Sequence, residues 1–364
     1  MGQVIYSLDP YMQGPGMDGD WEWHSPKEAP FRVAGLPWFS KDRIYRRLPK
    51  NPAVPIPPAV DELADCTAGV QIHFQTNSRR IGVRVRLNSA PEMHHMAGTG
   101  EGGIDIYVGA PFKQRSMGAA NFNPRERNYQ ALLMEFPDET AVRNITINLP
   151  LYKGVMDLEI GLVPGCDIMA PPPYACSERI VVYGTSITQG GCASRPGMAY
   201  TNILSRRFNQ EFINLGFSGN GKGEPELAQI ISTIPNMECV IIDYEANGVD
   251  TSTYKKTLPQ FIKIIRDAHP KLPILLVSRI PFAKHLHVKH EHAGWLERLE
   301  FQKDLVGELR QAGDEHLHFL CGQDLLGEDN WDECTVDGVH PNDLGFYRMA
   351  GSLESILRTI LKSC

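Results

Sequence analysis

Near residue 175 the hydrophobic pattern of this chain changes period, so a single uniform layer of secondary structure cannot accommodate it. From about residue 65 to 165 the apolar residues alternate with polar ones: Val70, Ile72 and Phe74 take every second position, as do Ile81, Val83, Val85 and Leu87. A period of two places such residues on one face of a half-buried strand. The turn-rich insert QTNSRR between the two sets predicts a hairpin. Further strands are expected at GGIDIYVGA, ALLMEF, NITINLPLY and VMDLEIGLV. Many short strands with hardly any helical pattern predict a β-sandwich. The first 60 residues are rich in Pro and Gly and carry Trp21, Trp23 and Trp38. They are expected to wrap the sandwich rather than fold alone.

The stretch MAPPPYA favours an extended polyproline connection, and beyond it the pattern is different. Apolar runs of strand length (IVVYG, EFINLGF, CVIIDYE, PILLVSRI, HLHFL) alternate with helix-like stretches such as TNILSRRFNQ, TYKKTLPQFIKIIRDAH and GWLERLEFQKDLVGELRQAG. That alternation predicts a parallel sheet with helices on both faces. The last segment sets Leu344, Phe346, Met349, Leu353, Ile356, Leu357 and Ile360 near helical spacing, and it should pack on that sheet. A length of 364 residues fits two domains. We place them at 1–174 and 175–364, an N-terminal β-sandwich followed by an α/β domain.

Charge and cysteine usage narrow the partners. The chain has 36 basic and 43 acidic residues, a formal charge of −7, and no long basic run to neutralise consecutive phosphates, which argues against nucleic acid. No stretch approaches the roughly 20 apolar residues that span a bilayer. The opening MGQVIYSLDPYMQG lacks a leader pattern, so the chain reads as soluble with no membrane partner. The compartment stays open: periplasmic or extracellular if a leader has been removed, otherwise cytoplasmic. Eight cysteines show no C-x-x-C pair and no zinc-ligand spacing. Cys239 in CVIID reads as a buried small hydrophobe, and Cys321 and Cys334 could bridge a short loop in an oxidising compartment.

The strand IVVYG runs directly into T-S-I-T, which puts Ser186 at the carboxyl end of a first parallel strand, where open sheets bind ligands. This is not the G-x-S-x-G elbow, because Thr188 stands at the second glycine. A capping serine is the structural alternative. Near the C-terminus, T-V-D-G-V-H-P-N-D sets Asp337 three residues before His340. A serine hydroxyl needs an imidazole to take its proton, and the imidazole needs a carboxylate to fix its tautomer. One loop can supply both; the alternative is a solvated surface histidine. N-L-G-F-S-G-N-G offers the Gly219 backbone N–H to a substrate oxygen, and Asn247 in E-A-N-G can donate its amide to the same atom. Asn247 also fits a simple turn before Gly248.

These four blocks in this order resemble the SGNH, or GDSL-like, hydrolases. The resemblance implies a flavodoxin-like, three-layer α/β domain with a triad of Ser186, Asp337 and His340, and an oxyanion hole from the Ser186 backbone, Gly219 and Asn247. G-T-S replaces the usual G-D-S, and E-A-N-G replaces G-T-N-D. In the first half, G-G-I-D-I-Y is similar to the G-x-D-L-Y signature of a jelly-roll-like sandwich found ahead of some members. The resemblance also implies a serine esterase removing small acyl groups, acetyl above all, from carbohydrate, with a glycan or small-molecule ester as substrate and no cofactor. Two alternatives remain: an acyltransferase using the same acyl-enzyme, and an inert glycan-binding protein. Oligomeric state is not specified.

Two histidine clusters and one arginine need a reading. His285, His287, His290 and His292 are dense enough to suggest a metal, but their spacing shows no convergent geometry, and a polar loop is expected. His94 and His95 read as an exposed loop, with the rim of the active site as the alternative. Arg195 suits a substrate contact or a structural ion pair equally.

Overall fold

The protein is described by a computed structural model covering residue 9, residues 16–137 and residues 141–361. The opening stretch that lacks a leader pattern lies, Asp9 apart, outside the described residues, as does Cys364.

The first half holds β1 (Glu22–His24), β2 (Arg32–Ala34), β3 (Gln71–Thr76), β4 (Arg80–Leu87) and β5 (Asp105–Val108). It continues through β6 (Arg115–Ala119), β7 (Asn128–Glu135), β8 (Arg143–Asn148), β9 (Val155–Leu162) and β10 (Ile168–Met169). Two antiparallel sheets result, one in the order β1-β9-β4-β7, the other β10-β3-β8-β5-β6 with β2 on β3. The expected sandwich is there, but the hairpin at 75–80 is not. β3 and β4 fall in different sheets, so the turn carries the chain across the sandwich. The reason lies in burial: with β3 paired to β8 and β4 to β7 and β9, Ile72 and Phe74 from one sheet and Ile81, Val83 and Val85 from the other fill the same core. A turn signal fixes that the chain reverses, and burial then decides which strand it pairs with.

The second half contains β11 (Arg179–Gly184), β12 (Glu211–Gly216), β13 (Met237–Asp243), β14 (Ile274–Val277) and β15 (Leu317–Leu320). All pair in parallel, in the order β12-β11-β13-β14-β15. The helices used below are α1 (Ser186–Gln189), α2 (Tyr200–Phe208), α3 (Pro225–Ile231), α4 (Thr251–Ala268), α5 (Lys289–Gln311) and α6 (Asp343–Ile360). Strand alternation divides the sheet's side chains between two cores. Val181, Tyr183, Val240 and Ile242 pack with Leu227 of α3 and Phe261 of α4, whereas Ile180, Val182 and Ile241 pack with Leu204 of α2 and Leu353 of α6. The three-layer α/β reading therefore holds. On α6, Phe346, Met349, Leu353 and Leu357 are buried as their spacing implies, but Leu344 is 46% exposed because it stands in the first turn.

The N-terminal segment does more than wrap the sandwich. β1 pairs with β9, but Leu48, Val60 and Ala64 enter the α/β core beside Phe217 and Leu227. Cys321 and Cys334 are free thiols, so the bridge considered for that loop does not form, while Cys176 is disulfide-bonded. Cys239 is fully buried. Among the described residues no helix is long and apolar enough to cross a membrane.

The order of the parallel sheet reverses at β11. Open sheets bind ligands at that switch, outside the carboxyl ends of the strands, and β11 delivers the chain straight to Ser186 there.

Candidate active site

The end of β11 is built for close approach. A Cβ on Gly184 would meet Thr188 Oγ1 at 2.0 Å, so only glycine lets the chain turn here. Thr185 caps α1, its hydroxyl accepting from the Ile187 N–H at 3.2 Å. Ser186 thereby becomes the first residue of a helix, with early N–H groups that the helix itself leaves unpaired. Its side chain is 8% exposed.

His340 is held by the loop ahead of α6. The backbone at Thr335 bridges to Pro341, and Gly338 turns with φ +81. Oδ1 of Asp337 accepts from the backbone N–H of Val339 at 3.0 Å and of His340 at 2.7 Å. That leaves Oδ2 for the ring, 2.7 Å from His340 Nδ1. The three-residue spacing of the pair is thus what one self-bonded turn requires. Burial works to raise the Asp337 pKa, but the bonds from His340 and Val339 and the nearby imidazole outweigh it, and the carboxyl lies below its ordinary value. A carboxylate has no proton to give, so Nδ1 carries the proton and Nε2 is free to accept. Nε2 lies 2.9 Å from Ser186 Oγ.

The structure brings the other two predicted residues to the same end of the sheet. Gly219 lies in the loop after β12 with φ +67 and open space where a Cβ would stand. Asn247 lies on a short helical turn, Glu245–Asn247, after β13. One amide hydrogen of Asn247 goes to the Phe217 carbonyl at 3.2 Å, which ties its turn to the Gly219 loop and leaves the second hydrogen for a ligand.

Beneath Ser186, Asp243 accepts from the Thr188 and Tyr200 hydroxyls at 3.2 Å each. Thr188 replaces the elbow's second glycine because its hydroxyl is used in this buried triplet. Burial pushes the Asp243 carboxyl up to about 7, against those two bonds.

The sandwich supplies part of the site, and here sequence reasoning fell short. Tyr152 donates to the Ser186 carbonyl at 3.1 Å. His95 sets its ring edge-on to His340 with centroids 5.6 Å apart, and Cys192 joins the same cluster. The loop reading fits exposed His94, whereas His95 is half-buried at the rim. The H-H doublet was the only local signal for it; nothing local marks Tyr152 or Cys192. Arg195 is a structural residue: its guanidinium meets Asp105 and the Tyr107 hydroxyl at 2.7 Å each, and Asp105 is fully buried. The 285–292 histidines do not converge. His285 is buried, stacked on Trp295 at 5.2 Å, and the region is not a loop but a 3-10 turn leading into α5, which starts at Lys289.

Residues 177–358 match the model of the GDSL-like lipase/acylhydrolase family, and residues 21–168 match that of the N-terminus of SGNH-hydrolase-type esterases. No match is found among curated proteins. Among solved structures, one from Bacteroides ovatus described as a GDSL-like lipase is 29% identical, with 94% of this chain and 100% of that one covered and a TM-score of 0.85. A salicylyl acyltransferase from a tetracycline biosynthetic pathway is 19% identical over 93% and 97% of the two chains, TM-score 0.76. An acetyl xylan esterase from Butyrivibrio proteoclasticus is 11% identical over 94% and 98%, TM-score 0.60. The last two share the fold.

Proposed function

This chain belongs to the GDSL-like lipase/acylhydrolase family and is a carboxylic ester hydrolase; we propose that it removes small acyl groups, acetyl above all, from carbohydrate through an acyl-enzyme on Ser186. The observation that carries this reading is the unbroken hydrogen-bonded series from Ser186 Oγ through the His340 ring to Asp337. His340 takes the serine proton as the hydroxyl attacks the ester carbonyl, and Asp337 stabilises the imidazolium that forms. The oxyanion is received by the N–H groups of Ser186 and Gly219 and the Asn247 amide. His340 returns the proton to the departing alcohol, and water repeats the sequence to release the acid. In this reading residues 1–174 and 175–364 are two units, the first buttressing the second through Tyr152 and the Asp105–Arg195 pair. The carbohydrate side rests on the shared fold with the acetyl xylan esterase.

The higher likeness to the salicylyl acyltransferase favours a second reading, transfer to an alcohol that outcompetes water. Both readings require p-nitrophenol release from p-nitrophenyl acetate as Ser186 is acylated, lost in Ser186→Ala. Equal rates in the two proteins would exclude Ser186 as nucleophile. Asn247→Ala should slow kcat about a hundredfold, and adding acceptor alcohols separates transfer from hydrolysis by the products formed.

A further inference from the structure

Three side chains far apart in sequence meet beside the base. His95 comes from a loop of the sandwich, Cys192 from the turn after α1, and His340 from the loop before α6, and one ligand atom of each lies within 4.8 Å of the others. Nδ1 of His95 is buried without a hydrogen-bond partner. Cys192 is a free, buried thiol in the left-handed region, φ +74. A Cβ on the adjacent Gly191 would stand 3.3 Å from Cδ2 of His340, so this turn runs along the ring edge that carries Nε2.

Two imidazoles and one thiol form a donor set suited to zinc, and three protein ligands with an open fourth position satisfy its tetrahedral preference. Zinc–ligand bonds of about 2.0–2.3 Å put tetrahedral donors roughly 3.5 Å apart, so the three side chains need to close by about an ångström. We propose that His95, Cys192 and His340 form an inhibitory site for a zinc-class divalent cation, which switches the esterase off by occupying its base. The switch rests on the reading of His340 as general base. Both ring nitrogens are already committed, Nε2 to Ser186 and Nδ1 to Asp337, so a cation on either one breaks the series. Binding involves no redox change. Burial, helped by the Asp337 charge, pushes the Cys192 thiol up to about 12, so the metal-free protein carries S–H there and the cation displaces that proton to solvent as the Zn–S bond forms.

The test titrates the full chain with Zn²⁺ by calorimetry and with Co²⁺ by absorption, where a thiolate-to-metal band reports the sulfur, alongside p-nitrophenyl acetate hydrolysis. Expected are one cation per chain, inhibition reversed by EDTA, and a cobalt–thiolate band. With each variant's activity taken relative to its own rate in EDTA, Cys192→Ser and His95→Ala should weaken both zinc binding and zinc inhibition about tenfold or more. Inhibition unchanged in both variants would overturn the proposal, as would no binding at millimolar zinc. A cobalt band lost in Cys192→Ser from a protein with no esterase activity even in EDTA would keep the metal site and sink the base assignment instead.

Discussion

Asp243 ends β13 under the helix that Ser186 opens, where burial holds its carboxyl at about 7 despite the opposing bonds from Tyr200 and Thr188. An unfolded chain releases that proton near pH 4. Between about pH 4 and 7 the folded protein therefore binds a proton that the unfolded chain has lost, so stability is highest below this window, falls as pH rises through it, and levels off above. Asp243→Asn removes the titration, and thermal unfolding from about pH 4 to 8 should show the wild-type midpoint falling relative to the variant's. Parallel curves would mean that Asp243 stays ionised. Residues of this kind divide by what a sequence can display. Ser186 and the Asp337–His340 pair are legible because each motif is a local backbone device, a capped strand end and a self-bonded turn. Asn247 is less legible, since A-N-G also writes an ordinary turn. Tyr152 touches Ser186 across 34 residues, and a contact set by tertiary packing leaves no local mark.

At the scale of elements, α6 shows how a helix end serves a loop. Asn342 caps it by accepting from the Gly345 N–H at 3.0 Å, while its amide donates to the Glu333 carbonyl at 2.7 Å and its backbone N–H to Cys334 at 2.9 Å. One residue thus starts the helix and pins both ends of the strap that carries Asp337 and His340. Asn342→Ala should cost about 1 kcal/mol, the usual value of a lost cap, read as a lower denaturant midpoint at unchanged slope. An unchanged midpoint would show that water replaces the cap fully. The apolar periods made the parallel strands and long helices readable, and they identified β3 and β4. They did not identify partners: the same alternation suits a hairpin or two facing sheets, and only the joint burial of Phe74 with Val83 distinguishes them. Likewise α5 reaches back through the 289–292 stretch, whose lysine and histidines hide a helix that gains its anchor from Trp295 against His285.

For the whole molecule, the change of period near residue 175 separates two patterns but not two independent cores. Arg47, in the N-terminal half, is fully buried and donates to the carbonyls of Asn214 at 3.2 Å and Gly216 at 2.6 Å, both on β12, as well as to Leu63 and Cys66. Burial pulls its guanidinium down to about 10, which records how little water reaches it. Beside it Leu48, Val60 and Ala64 complete the α/β core, and Thr99 donates to the Ser194 carbonyl at 2.6 Å. Removing residues 1–174 would return that apolar face to water, at about 25 cal/mol for each Å² of apolar surface exposed, and would leave the two β12 carbonyls to water in place of Arg47. Domains hold only about 5–15 kcal/mol in total, so the losses are a large part of the reserve. The excised segment 175–364 should therefore lack a cooperative thermal transition and ester hydrolysis, whereas a chain beginning near residue 36, which restores Arg47 and its neighbours together with most of the sandwich, should regain the transition. Cooperative unfolding of 175–364 alone, with a midpoint near that of the full chain, would show that the parallel sheet closes its own core and that the N-terminal half merely lies against it.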